Sequence, residues 1–204
     1  MDNPVFQSIY ARVLMGSGLA ALSGIRAFLP VAFLALYSRL AFFSAPVLGG
    51  TAFAFLNKTW VIALLFALAV IELATDKIPQ AASLHRQIMR PLRIAFGGFV
   101  FAAAMAPDGW IAMVICAVVG LLIAGLAEYA VHSMRPGIQP GARIEATPFV
   151  LLSIYADLLV LIGTLLFVLV PLIGALFACF LFLFVYRLRQ RRKRKHKGLR
   201  ILKG

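Results

Sequence analysis

Long uncharged apolar runs are the feature that most restricts the fold of this chain. Residues 110–127 and 158–186 contain no charged side chain. A helix needs about 20 apolar residues to cross the hydrocarbon core of a bilayer, and the first run approaches that length while the second exceeds it. Hydrophobic residues make up 63% of the 204 residues, and the mean hydropathy is +0.97. Because barrel-type alternation is also missing, the sequence predicts an all-α integral membrane protein.

About six transmembrane helices are predicted. The first apolar segment, residues 6–40, is too long for one regular span and contains Gly24 and Pro30, so an interrupted helix with its break between these residues is expected. The other spans are predicted at residues 59–77, 93–105 and 110–133, and on either side of Pro171 within residues 146–188, where Asp157 is the only acidic residue. A basic loop is predicted at residues 85–93, with Pro91 in the first turn of the helix that follows. A five-span alternative stays open because a turn at Pro171 would be very short.

Positive charge is concentrated at the C-terminal end. Ten of the 20 Lys and Arg residues lie in residues 187–203. We expect residues 1–188 to form one transmembrane domain, with halves of roughly 6–106 and 109–188, and residues 189–204 to form a polybasic cytoplasmic tail that binds anionic lipids. Basic loops favour the cytoplasm, so six spans place both termini there. Nucleic-acid binding by the tail is the less favoured interpretation.

Charged side chains inside the apolar segments predict a substrate-binding site. Glu72 and Asp76 are four residues apart, on one helical face, and Lys77 follows them. Intramembrane carboxylates are costly unless a cation meets them, and Arg26 in the first span is the expected partner. Such a group can hold a phosphate or carboxylate. The alternative is that Asp76 and Lys77 lie at the headgroup level and Glu72 snorkels toward them.

A second set of ionisable residues is predicted to couple protons or line a polar pathway. Glu128 and His132 are four residues apart at the end of the fourth span, and Asp157 lies within the fifth. Intramembrane acidic residues and histidines often carry protons. Glu128 and His132 supply only two metal ligands, and Cys116 and Cys179 lie apart in apolar spans, so neither a metal nor a cofactor is expected.

Internal symmetry is suggested by a short repeat. The tripeptide Gly-Leu-Ala occurs at residues 18–20 and 125–127, each copy followed by polar residues and a proline. Three spans in each half would make a 3+3 inverted repeat, which is typical of transporters with sites built by broken helices. The adjacent Gly97 and Gly98 offer a flat face to another helix, from which a homodimer is expected.

Three motifs resemble a known family. They are Ser23-Gly-Ile-Arg-Ala-Phe-Leu-Pro30, Glu72-Leu-Ala-Thr-Asp-Lys-Ile-Pro79 and the basic Pro91-Leu-Arg93. Together they are similar to the bacterial inner-membrane family known as domain of unknown function 4126, over most of the chain up to about residue 170. The resemblance implies a multi-pass protein of the bacterial cytoplasmic membrane, and it supplies no catalytic residues.

The sequence favours a small transporter or lipid-headgroup flippase for an anionic substrate, in which protons could be coupled to movement. The alternative is a structural or assembly membrane protein whose intramembrane charges are buried ion pairs that fix the helix register. An enzyme is not expected, because neither HExxH nor GxSxG occurs. A water-filled cavity at Arg26 would favour transport, whereas paired and dry charges would favour the structural role.

Overall fold

The computed structural model describes residues 8–76, 82–134 and 146–201, and the side chains of 8–76, 88–134 and 151–191. Within these ranges the fold is all-α, as predicted, with no strand. Seven α-helices follow one another, with short 3-10 turns at Ala54–Asn57 and Ala106–Asp108: α1 (Ile9–Ser23), α2 (Phe28–Arg39), α3 (Thr59–Thr75), α4 (Ala82–Ala104), α5 (Trp110–Met134), α6 (Ala146–Leu169) and α7 (Pro171–Ile201).

The first apolar segment is divided into two helices. The hydroxyl of Ser8 accepts a hydrogen bond from the backbone N–H of Ala11 and caps the start of α1. Residues 24–27 separate the end of α1 from the start of α2. Pro30 lies in the first turn of α2, where its missing N–H removes no helical hydrogen bond. The break between Gly24 and Pro30 that the sequence predicts therefore corresponds to these four residues.

The two halves of this segment run in opposite directions and form a helical hairpin. At its end, α2 reaches the start of α3, where Arg39 donates hydrogen bonds to the carbonyl of Asn57 and the hydroxyl of Thr59. Beyond α2, the hydroxyl of Ser44 lies 3.9 Å from the sulfur of Met15 in the first half of α1. The chain thus returns to the level of the middle of α1, and the predicted single interrupted span is a hairpin.

The remaining helices run alternately in opposite directions between the two ends of the bundle. We call the end with the α4–α5 turn and the start of α7 the turn end; there Arg12 of α1 pairs with Asp108 at 2.7 Å. We call the opposite end the basic end; there the guanidinium of Arg189 on α7 lies 5.2 Å from the ring centre of Tyr129, near the end of α5. The described part of α1 therefore starts at the turn end, and α7 runs toward the basic end.

Helix α1 lies at the centre and contacts α4, α5, α6 and α7. Glycines allow these backbones to approach closely. A Cβ on Gly18 would lie 2.5 Å from the Cα of Gly174 on α7, and a Cβ on Gly97 would lie 2.2 Å from the Cβ of Ala124 on α5. Gly97 and Gly98 thus pack against α5 of the same chain, so the face from which a homodimer was expected is already occupied.

Helix α4 begins earlier than predicted. The sequence places residues 85–93 in a basic loop with Pro91 at the start of a helix, but α4 extends over Ala82–Ala104 with Pro91 inside it. This prediction was wrong because proline was taken as a helix start. An internal proline is tolerated where neighbouring helices and local adjustments satisfy the freed backbone groups, as is common in membrane helices.

In the part of the chain that the structure describes, three helical stretches are long and apolar enough to cross a membrane, namely Trp110–Met134, Leu151–Leu169 and Pro171–Arg191. The apolar helices α1, α2 and α3 are shorter, at 15, 12 and 17 residues. A membrane protein is supported, whereas six spans and a 3+3 inverted repeat are not confirmed. The turn predicted at Pro171 is present, since α6 ends at Leu169 and α7 starts at Pro171. Helix α7 continues from its apolar part into the basic tail.

Candidate functional site

Arg26 lies at the tip of the α1–α2 hairpin and is fully buried. Its Nε donates a hydrogen bond to Oδ1 of Asp157 at 2.7 Å, and its Nη2 donates to the hydroxyl of Ser153 at 2.9 Å. Its Nη1 lies 2.9 Å from Oδ2 of Asp76. The Ser153 hydroxyl in turn donates to the same Asp76 oxygen at 3.0 Å. The four side chains form a closed polar network that joins three separate parts of the chain.

The local sequence explains how this network is positioned. Ser153 and Asp157 are four residues apart on α6, so they present their polar groups on one face toward the hairpin tip. Asp76 directly follows the last residue of α3. Arg26 cannot reach water at this depth, since its side chain is only 1% exposed, and a buried guanidinium is tolerated only when carboxylates balance its charge.

Glu72 binds the start of α2 rather than Arg26. Its two carboxylate oxygens accept hydrogen bonds from the backbone N–H groups of Ala27 and Phe28, at 3.1 and 3.2 Å. The Nε of Arg93 on α4 donates to Oε1 of Glu72 at 3.2 Å. The first N–H groups of a helix lack intrahelical partners, and the helix dipole favours a negative charge there. The start of α2 together with Arg93 is therefore a built anion site, occupied by a carboxylate of the chain itself.

The expected pairing thus divides into two neighbouring sites. The sequence predicts that Arg26 pairs with Glu72 and Asp76. In the structure Arg26 pairs with Asp76 and Asp157, whereas Glu72 pairs with Arg93. The alternative in which Glu72 snorkels to the headgroup level is not observed, since its side chain is 1% exposed. Lys77, predicted beside them, lies outside the described residues.

Among the described side chains, two guanidiniums face three carboxylates in these two sites. Asp157 is the most accessible of the three carboxylates, with 18% of its side chain exposed, against 1% for Asp76.

The second predicted set is not brought together. Glu128 pairs with Arg90 of α4, with 3.0 Å between Oε2 and Nε, while the Arg90 side chain is 53% exposed. His132 is exposed on α5, and Asp157 belongs to the Arg26 network instead. Within the described parts of the chain, no group of three or more His, Cys, Asp and Glu residues could hold a metal ion.

The partners that sequence reasoning missed are Arg90, Arg93 and Ser153. Arg90 and Arg93 are three residues apart and both pair with carboxylates of neighbouring helices. Treating residues 85–93 as a loop hid this spacing, which on a helix would have placed both guanidiniums on one side. Ser153 lies four residues before Asp157 in an apolar stretch, and this spacing is the feature of the sequence that indicates a shared polar face.

The sites lie near the middle of the bundle. A Cβ on Gly24, two residues before Arg26, would lie 2.3 Å from the carbonyl oxygen of Ala124 on α5. Helix α5 has 14 residues before Ala124 and ten residues after it, which correspond to about 21 Å and about 15 Å at 1.5 Å per residue. The hairpin therefore enters from the turn end and stops near the middle of the bundle.

Residues 13–191 match the model of one protein family, described as Domain of unknown function (DUF4126). No curated protein and no solved structure matches the chain.

Proposed function

Because the chain belongs to the DUF4126 family, which brings no assigned activity, we propose its function from the charged sites: a small membrane transporter that moves an anionic group past the tip of the α1–α2 hairpin. The observation that carries the proposal is the carboxylate of Glu72 seated on the N–H groups of Ala27 and Phe28. Half-helix starts inside a membrane protein bind anionic substrate groups in transporters with broken helices.

The proposed substrate is a carboxylate or phosphate group that takes the place of Glu72. When the Glu72 side chain leaves, the two backbone donors and Arg93 are free to bind the incoming anion, and the closed form returns when Glu72 rebinds. Arg26 lies next to these donors in the sequence and adds positive charge. A phospholipid headgroup and a small free anion share this chemistry, so movement of a lipid headgroup is one form of the proposal.

Asp157 is the proposed proton acceptor. It is the most accessible of the three carboxylates that face the two guanidiniums, with 18% of its side chain exposed. Protonation of Asp157 would weaken its bond to the Nε of Arg26 and release part of the hairpin tip. Coupling of this step to anion movement would make transport depend on pH.

A structural or assembly role is the second candidate, and the burial of the charges favours it. Arg26, Glu72 and Asp76 are each at most 1% exposed and paired. In that role the two sites fix the hairpin against α3, α4 and α6 and have no substrate.

The proposed location is the bacterial cytoplasmic membrane, with the basic end in the cytoplasm. Cytoplasmic positions for both termini followed from six spans. The hairpin gives an odd number of helices between the start of α1 and the end of α7, so in this proposal α1 starts on the outer side. A homodimer stays a prediction.

The experiment is transport by the purified protein in proteoliposomes. Radiolabelled phosphate, acetate and chloride test free anions, and a fluorescent phosphatidylglycerol quenched from outside tests lipid movement. We expect movement of at least one probe, its loss in Arg93→Gln, and a changed pH dependence in Glu72→Gln. Glu128→Gln is the matched control, because Glu128 also pairs with an arginine but lies outside both sites. Absence of movement for all four probes, with variants that change only unfolding, would establish the structural role instead.

A further inference from the structure

An apolar groove opens on the outside of the bundle between α5, α6 and α7. It has a volume of about 220 Å³ and is lined almost entirely by apolar side chains. Val131 of α5, Tyr155 of α6, and Phe180 and Phe184 of α7 form its walls, and Ile25 of the hairpin tip forms part of its floor. The groove lies in the half of the bundle toward the basic end.

Each of the three helices around the groove contains a described stretch that is long and apolar enough to cross a membrane. Only 17–28% of the residues in their apolar windows are buried inside the chain. Large apolar side chains such as Val118, Leu158 and Leu183 are therefore exposed. In a bilayer such a surface faces acyl chains, and a groove in it takes up an acyl chain because no water or polar group competes for it.

The charge at the end of the groove selects the headgroup. On α7, Phe177, Phe180 and Phe184 line the groove, and the same helical row continues to Arg187 and Arg191, both exposed. Guanidinium groups bind phosphate oxygens with two parallel hydrogen bonds.

We propose that this groove is a binding site for an anionic phospholipid, with one acyl chain between α5, α6 and α7 and the phosphate headgroup on Arg187 and Arg191. The site lies outside the charged cluster of Arg26 and does not require transport. Since Ile25 forms part of the floor and directly precedes Arg26, an acyl chain in the groove packs against the hairpin tip and stabilises its position.

Two variants separate the acyl and headgroup parts of the site. Val131→Trp fills the groove, and its matched control is Val118→Trp, on the same helix at an exposed position away from the groove. Arg187→Gln/Arg191→Gln removes the headgroup charges and leaves the groove intact. Circular dichroism and gel filtration in detergent establish that each variant is folded before binding is measured.

The measurement is native mass spectrometry of the delipidated protein titrated with phosphatidylglycerol or phosphatidylcholine. We expect the wild type to bind phosphatidylglycerol more tightly than phosphatidylcholine. In the double arginine variant the affinity for phosphatidylglycerol should fall about thirtyfold, while the affinity for phosphatidylcholine stays unchanged. Val131→Trp should weaken the binding of both lipids, and Val118→Trp should not. Equal binding of both lipids by the wild type, or lipid binding unaffected by Val131→Trp, would overturn the proposal. If Val131→Trp disrupts a dimer while lipid binding persists, the groove binds a second copy of the chain. That result would likewise overturn the proposal.

Discussion

The Nη1 of Arg26 and the Oδ2 of Asp76 lie 2.9 Å apart, and each side chain is only 1% exposed. The two residues are far apart in the sequence, at a helix break and at a helix end, and both belong to motifs that resemble the family. Because Asp157 and Ser153 also bind the same guanidinium, Arg26 is the centre of the network and Asp76 is one of several acceptors. This asymmetry makes the two residues unequal in their contribution to stability.

We predict that Arg26→Gln destabilises the protein more than Asp76→Asn does. Loss of the guanidinium removes the cation that Asp76, Asp157 and Ser153 all contact, which costs about 3–5 kcal/mol. Loss of the Asp76 charge leaves Arg26 with Asp157, and the cost is about 1–3 kcal/mol. The free energy of unfolding in lipid nanodiscs measures both effects. The double variant should be more stable than the sum of the single effects implies.

Arg39→Gln is the control for this comparison, because Arg39 makes hydrogen bonds that are exposed at the turn end. Its effect should stay below about 1 kcal/mol. Equal effects of Arg26→Gln and Asp76→Asn would show that Arg26 is not the centre of the network.

We predict strong coupling between Glu72 and Arg93 and weak coupling between Glu128 and Arg90. Both pairs join a glutamate to an arginine of α4, but the first is buried on both sides, whereas the Arg90 side chain is 53% exposed. Double-mutant cycles with Gln at each position should give about 2–3 kcal/mol for the buried pair. For the second pair we expect less than about 1 kcal/mol, since solvent screens it. Similar values for the two cycles would contradict the assigned burial.

The sequence is sufficient to locate the helix break and the residues that carry charge into the membrane. Glycine and proline act locally, so the interruption between Gly24 and Pro30 can be predicted without knowledge of the fold. The direction of the chain after the break is set by distant contacts, for example between Phe33 of α2 and Phe66 of α3, whose ring centres are 5.3 Å apart. An interrupted span and a hairpin therefore look the same in the sequence.

The sequence indicates which buried charges need a partner more readily than it indicates which residue that partner is. Arg26 and Asp76 stood out because charges in apolar segments are costly and need partners. Arg93 gives no such signal, because it lies at the start of a predicted span, where cations are common. Only the packing of α4 against the α1–α2 hairpin brings Arg93 to Glu72 as a buried partner. The roles of these residues in binding or proton coupling stay predictions.

Alanine substitution should affect the free energy of unfolding very differently at a glycine in a helix contact and at a glycine in open space. A Cβ on Gly97 would lie 2.2 Å from the Cβ of Ala124, whereas a Cβ on Gly125 would meet nothing within 4 Å. We predict that Gly97→Ala lowers the free energy of unfolding by about 1–3 kcal/mol through overpacking. Gly125→Ala should raise it by up to about 1 kcal/mol, because alanine is the better helix former. Denaturant unfolding in mild detergent checks both, and a stable Gly97→Ala variant would rule out the close α4–α5 approach.

The hairpin makes a definite prediction about topology. Tyr10 at the start of α1 and Leu40 directly after α2 are both exposed and lie at the turn end, while Gln190 of α7 is exposed at the basic end. In a variant in which Cys116 and Cys179 are replaced by serine, we introduce one cysteine at each of these positions in turn. A maleimide that does not cross membranes should label positions 10 and 40 in intact cells and position 190 only after the membrane is opened.

Position 40 is the internal control that separates a hairpin from a single crossing. If the first segment crossed the membrane once, as an interrupted span, positions 10 and 40 would lie on opposite sides, and position 10 would share the cytoplasmic side with position 190. Labelling of positions 10 and 190 from the same side would therefore contradict the hairpin and restore an even number of crossings. Labelling of positions 10 and 40 together from outside would remove the basis for two equal halves of three spans, because the hairpin adds a helix to the first half that the second half lacks.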